Sequence, residues 1–137
     1  MTTHQALVAE ISRCTLCAER FAATETAHRP RPVLVLSRTA RVLIVGQAPG
    51  ARVHASGRPF DDASGDRLRR WMGIGREVFY DSARLAIVPM GFCFPGYDAR
   101  GSDLPPPKLC AQTWRERVMQ TLPQIELILV IGQYAQA

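Results

Sequence analysis

Two sets of residues in this 137-residue chain have the types and spacing to do chemistry. The first is four cysteines: Cys14 and Cys17, two residues apart, and the distant Cys93 and Cys110. In a reducing compartment such a set points to a metal site or redox chemistry ahead of disulfides. Thiolates hold iron-sulfur clusters and tetrahedral zinc alike. Zinc sites more often show two short knuckles, whereas Cys93 and Cys110 flank a long proline-rich loop. Iron-sulfur is therefore favoured, with zinc the alternative and unligated core thiols a third reading.

The second set is the loop Gly46-Gln47-Ala48-Pro49-Gly50 with the downstream stretch Gly57-Arg58-Pro59-Phe60-Asp61-Asp62. Two glycines let backbone approach a ligand closely and a proline stiffens the turn between them, which suits preorganised backbone donors. Phe60 is either a platform for a flat ligand or a core ring. Asp61 and Asp62 are either site carboxylates or the acidic lead-in to a helix. The loop has neither the GxGxxG spacing of a dinucleotide fold nor the GK[ST] ending of a P-loop, so both are disfavoured.

Ligands of open α/β sheets bind outside the carboxyl ends of the strands, so these loops need strands before them. Continuous aliphatic runs at 42–45, 85–88 and 125–131, each closed by glycine or proline, read as parallel strands covered on both faces. Between them, Ser64, Leu68, Trp71, Met72 and Gly73 describe a capped amphipathic helix lying on the sheet, and 109–122 is a helix introduced by prolines and ended by Pro123. Apolar spacing over 5–20 gives a helix leading into the Cys14–Cys17 knuckle, 33–36 is a strand or edge segment, and 92–107 is a long loop. The layout predicts one α/β domain over residues 1–137, a three-layer doubly wound sandwich with a mainly parallel sheet.

Seventeen Lys and Arg against twelve Asp and Glu give a net charge of +5, and every basic residue except Lys108 is arginine. Arginine's planar fork suits phosphate, so a nucleic-acid partner is one reading and a solvated surface the other. No apolar run approaches the roughly 18 residues of a membrane span. The first residues carry no signal-peptide pattern. The expectation is a cytoplasmic monomer.

Gly-Gln-Ala-Pro-Gly after a buried strand, then Gly-Arg-Pro-Phe, a capped helix, and cysteines at 14, 17, 93 and 110 together resemble the iron-sulfur (family 4) branch of the uracil-DNA glycosylase superfamily. The resemblance runs from about Cys14 to the chain end. It implies a [4Fe-4S] cluster on Cys14, Cys17, Cys93 and Cys110, structural in role. It also implies Phe60 stacking on uracil beside Gly46, backbone donors at Gln47 and Ala48, and Arg52 and Arg58 on DNA phosphates.

Three departures accompany it. The family usually has glutamate where this chain has Gln47, asparagine where it has the Pro89 region, and a final His-Pro-Ser loop after one more helix and strand. Tyr134-Ala135-Gln136-Ala137 reads as a helix start, so the expectation is a domain incomplete at its C-terminus and nearly inactive alone. Asp61 or Asp62 is expected to replace the missing carboxylate. The implied function is excision of uracil, or a related deaminated base, from DNA. Its rivals are a non-catalytic iron-sulfur nucleic-acid-binding module of the same fold and a zinc-stabilised domain binding a small nucleotide.

Overall fold

The computed structural model describes residues 3–136. In chain order the elements are α1 (Thr3–Ser12), α2 (Ala18–Ala22), β1 (Val42–Val45), α3 (Ala51–Ser56), α4 (Ala63–Met72), α5 (Arg76–Phe79), β2 (Leu85–Ile87), α6 (Lys108–Gln120), β3 (Leu127–Val130) and α7 (Gln133–Gln136). The three strands are parallel in the order β2-β1-β3, with Leu43 opposite Ala86 and Ile128, and Ile44 opposite Ile87 and Leu129. From β1 the chain crosses to one side and then to the other. A doubly wound sheet of this kind leaves a crevice at the carboxyl end of its central strand, where the chain reverses direction.

Alternation along the strands supplies a core on each face. Leu43, Val45, Ala86 and Val88 meet Leu7 and Ile11 of α1 and Trp114 and Val118 of α6, while Ile44, Leu85 and Ile87 meet Leu68 of α4 and Phe79 of α5. Helices therefore cover both faces of β1 and β2, giving the expected three-layer α/β sandwich, whereas β3, read as a buried run, is an edge strand that leaves Leu127, Ile128 and Val130 exposed. The Glu10 carboxylate accepts from both Arg117 guanidinium nitrogens, at 2.6 and 3.1 Å, and ties α1 to α6. The 33–36 stretch is an edge segment, antiparallel to β2 through paired Val35–Ile87 backbone bonds of 2.7 and 2.9 Å.

Several local expectations need correction. The helix read over 5–20 ends at Ser12, shorter than expected, and leads as expected into the Cys14–Cys17 knuckle, which lies in the break at 13–17 before α2. Asp62, not Ser64, caps α4: its Oδ1 accepts from the Gly65 amide at 2.9 Å and the Ser64 hydroxyl at 2.7 Å. Trp71 is 76% exposed rather than packed on the sheet. At 100° per residue Gly65, Leu68, Arg69 and Met72 share one arc of α4, and Trp71 falls outside it. The helix start read over 134–137 corresponds to α7, except that Ala137 lies outside the described residues. Among the described residues no helix is long and apolar enough to cross a membrane.

Candidate active site and four-cysteine cavity

β1 ends in buried Val45, and the chain turns at Gly46 into the 46–50 loop that enters α3. The loop is fixed from outside itself: Met90 N–H donates to the Gly46 carbonyl and Gly91 N–H to the Gln47 carbonyl, both at 2.9 Å. The loops after β1 and β2 are thus laced together. The loop after β3 closes on the same place, because a Cβ on Gly132 (φ +92°) would meet the Gln47 side chain at 2.5 Å. Gln47 is packed over that glycine, which explains why the turn needs one.

Around these three loops lies a cleft of about 270 Å³, lined among others by Gly46, Gln47, Ala48, Phe60, Asp62 and Pro89. Phe60 adopts φ +58°, a left-handed conformation costly for a bulky residue and held only where the surroundings over-determine it. Those surroundings can be named. Arg69, only 4% exposed, donates from Nη1 to the Phe60 carbonyl at 3.2 Å and from Nη2 to Asp66 at 2.8 Å. The Tyr80 hydroxyl donates to the Pro59 carbonyl at 2.8 Å, and Phe79 meets the Phe60 ring edge-on with centroids 5.8 Å apart. The Phe60 ring then lies over Gly46, where an added Cβ would come within 3.3 Å of Cζ. The aromatic face and the loop's backbone share one wall.

The structure separates the two neighbouring carboxylates. Asp62 lines the cleft while capping α4, whereas Asp61 does not line it and pairs with Arg76 at 3.2 Å. Arg58 stacks on the Tyr80 ring at 4.1 Å, and Arg52 is exposed in the first turn of α3. Arg69 and Asp103 were missed by sequence reasoning. Asp103 lines the cleft from the 92–107 loop, and burial, helped by the charge of Asp62, holds its carboxyl above the usual carboxylate range.

A second cavity lies on the α1–α6 side. Cys14, Cys17, Cys93 and Cys110 all line it, with Phe21, Pro32, Phe92 and Trp114 supplying apolar walls. None of the four is in a disulfide. Backbone N–H groups point at two of the sulfurs: Phe92 donates to Cys110 Sγ at 3.3 Å, and Arg31 donates to Cys93. Burial pushes the Cys93 thiol up to about 12, Cys110 to about 11 and Cys17 upward, with the other cysteines adding repulsion. Ionising such a set needs a cation among them.

The cavity and the cleft are neighbours through one short segment. Pro89 faces the cleft, and Gly91, Phe92 and Cys93 face the cavity. The 93–110 loop, which carries Asp103, has a cysteine at each end. His28 braces its start, with Nε2 at 2.6 Å from the Phe94 carbonyl and the ring stacked on Phe21.

The family model described as the uracil DNA glycosylase superfamily matches residues 33–137, from the edge segment through all three strands and the cleft. Cys93 and Cys110 fall inside the match and Cys14 and Cys17 precede it. The residues that line the cleft at the carboxyl ends of the strands all fall within that match, and this chain belongs to the uracil DNA glycosylase superfamily.

Proposed function

We propose that the protein hydrolyses the N-glycosidic bond of uracil, or a related deaminated base, in DNA. The observation that carries this is Phe60, held at positive φ with its ring over Gly46 in the cleft of a chain from this superfamily. A base inside the duplex cannot present its glycosidic bond, so it must be turned out and held on a flat apolar surface. Phe60 supplies that surface. The amides of Gln47 and Ala48, at the positive end of a fixed turn, are the donors for the charge that collects on the departing pyrimidine. Arg52 and Arg58, on the first turn of α3 and on Tyr80, contact the flanking phosphates.

We also propose that Cys14, Cys17, Cys93 and Cys110 hold a [4Fe-4S] cluster, as in the iron-sulfur branch that the chain resembles. Three features support the fit. All four sulfurs share one apolar-walled cavity, two of them already accept backbone N–H groups, and Trp114, which lines the cavity, has its indole N–H buried without an acceptor. Among the described residues no three His, Cys, Asp or Glu side chains close around a single point as one ion requires. Four thiolates on one zinc would stand about 3.8 Å apart, given Zn–S bonds of about 2.3 Å, whereas a four-iron cluster spreads its ligands wider. Zinc is the alternative occupant, and metal analysis decides between the two. When bound, the cluster supplies a cross-link between the N-terminal segment and both ends of the 93–110 loop. Unpaired thiols and such a cluster suit the reducing cytoplasm.

Anaerobically purified protein, incubated with single- and double-stranded DNA carrying one uracil, tests both parts. Expected are about four irons per chain with a broad band at roughly 400 nm, and slow release of free uracil that leaves an alkali-labile site. Phe60→Ala should abolish release. Iron-loaded protein that binds DNA and releases no base would instead be the non-catalytic module. Colourless protein with stoichiometric zinc would overturn the cluster.

A further inference from the structure

We propose that Asp103 is the general base of this cleft, holding the attacking water and taking its proton as the sugar cation develops. The inference rests on the base-excision reading above and adds to it the residue that activates water.

Elimination among the cleft's groups leads there. Gln47 has no acid-base capacity near neutral pH, and its side chain is packed over Gly132. Asp61 is outside the cleft with Arg76. Asp62 lines the cleft, but its Oδ1 is committed to the Gly65 amide and the Ser64 hydroxyl, so protonating it would undo the cap of α4. Asp103 is the remaining cleft carboxylate, and no hydrogen bond or ion pair of its side chain is found among the described residues.

Its position is built, not incidental. Residues 96–104 form a small hairpin: Asp103 bridges Tyr97, Leu104 N–H donates to the Gly96 carbonyl at 2.8 Å, and Asp98 N–H donates to the Ser102 carbonyl at 2.8 Å. The Asp98 carboxylate is consumed inside the turn, accepting the amides of Arg100 at 2.8 Å and Ser102 at 3.0 Å. Gly101 turns the tip at φ +81°. Behind the hairpin, Pro106 packs on Gly91, where an added Cβ would meet the proline Cβ at 2.9 Å. This arrangement aims one carboxylate of the loop into the cleft and keeps the other out.

The chemistry balances without a further reagent. The C1′–N1 bond breaks with its electron pair going to the pyrimidine, which leaves as an anion. A lone pair on the water oxygen forms the new C1′–O bond, and that water's proton passes to Asp103 and then to solvent. The anion is protonated from solvent. The negative charge of Asp103 also opposes the positive charge on the sugar. Asp103 is exposed at the cleft wall, and the desolvation it does undergo, together with the charge of Asp62, holds its carboxyl above the usual carboxylate range, in the direction that favours proton abstraction. Asp62 and Asp103 are the titratable side chains lining the cleft, and Tyr97, Asp98 and Arg100 share the hairpin.

The test is single-turnover uracil release by the full chain, with enzyme in excess, across the acid to neutral range, for native protein, Asp103→Asn and Asp103→Glu. Binding to the same DNA is measured in parallel. For Asp103→Asn the expected result is a loss of about 100-fold in rate with binding changed less than about twofold. The acid limb of the native pH profile should disappear in that variant and return in Asp103→Glu. Release by Asp103→Asn within about threefold of native, with the acid limb intact, overturns the role of Asp103 and leaves base excision standing. Absence of release by iron-loaded native protein overturns both.

Discussion

The Phe60 ring and the Gly46 backbone form a single surface, since a methyl group at Gly46 would sit 3.3 Å from Phe60 Cζ. The ring cannot easily give way, because its backbone is pinned by Arg69 and its edge abuts Phe79. Gly46→Ala should therefore shift the ring by a fraction of an ångström in a protein that still folds. Misplacement on this scale is expected to lower uracil release between about 10- and 100-fold, with the melting temperature almost unchanged. Single-turnover assays paired with thermal denaturation check both parts.

Gly65 is under a harder constraint. A Cβ there would overlap the Phe60 carbonyl oxygen and press on its Cβ, and the atom in the way is backbone. Gly65→Ala should cost about 1 to 3 kcal/mol or more, even though alanine is the better helix former. Urea titration measures it, and a stabilised variant would show that the Phe60 loop is free to move.

Arg69 holds the same carbonyl from the other side. Its side chain is 5% exposed and its partner Asp66 65%, so their ion pair is half in solvent and the buried end carries most of the effect. Arg69→Met keeps the length of the side chain and removes the donors to Phe60 and Tyr80. The expected loss is about 1 to 3 kcal/mol from the unsatisfied groups. Base release should fall further than stability alone explains, because Phe60 is freed to leave its positive φ.

The proposed cluster predicts coupling between metal and loop. Cys93 and Cys110 stand at the ends of the segment that delivers Asp103, and a cross-link closing a loop of this length is worth about 3 kcal/mol in chain entropy. Cys93→Ser, or iron removal by an oxidant and chelator, should abolish the visible band, lower the melting temperature and open the 97–103 hairpin to limited proteolysis. A hairpin that stays protected after iron is gone would show that Pro106 on Gly91 is sufficient to hold it.

The strands were legible because each parallel strand buried on both faces leaves an unbroken aliphatic run, as 42–45 and 85–87 do. Their position in turn located the 46–50 loop. The six-residue α3 and four-residue α5 were not legible, since neither is long enough to show a 3.6-residue period. Ser64 and Asp62 are both good caps two residues apart, and only the fold chooses between them. Arg69 reads as one more surface arginine until Phe60 and Tyr80, nine and eleven positions away, come around to meet it. Asp103 was hidden for a different reason: the 92–107 stretch has no periodicity, and its hairpin rests on a single bridge.

His54 predicts an acid-side loss of stability. Its Nδ1 is buried without a partner, its ring meets His28 edge-on with centroids 5.2 Å apart, and Phe94 lies 5.7 Å away. Burial, with His28 and Arg31 adding repulsion, lowers its affinity for a proton below the ordinary value of 6.5. In the unfolded chain the same histidine binds a proton near that ordinary value. As pH falls through 6.5 the unfolded state therefore gains protons first, and stability present above 6.5 is lost progressively down to the lower folded value. His54→Phe keeps the ring contacts with His28 and Phe94 and removes the titration. Its melting temperature should fall less steeply than that of the native protein between neutral pH and the carboxylate range. Parallel curves for the two proteins would mean that His54 is already solvated in the native state.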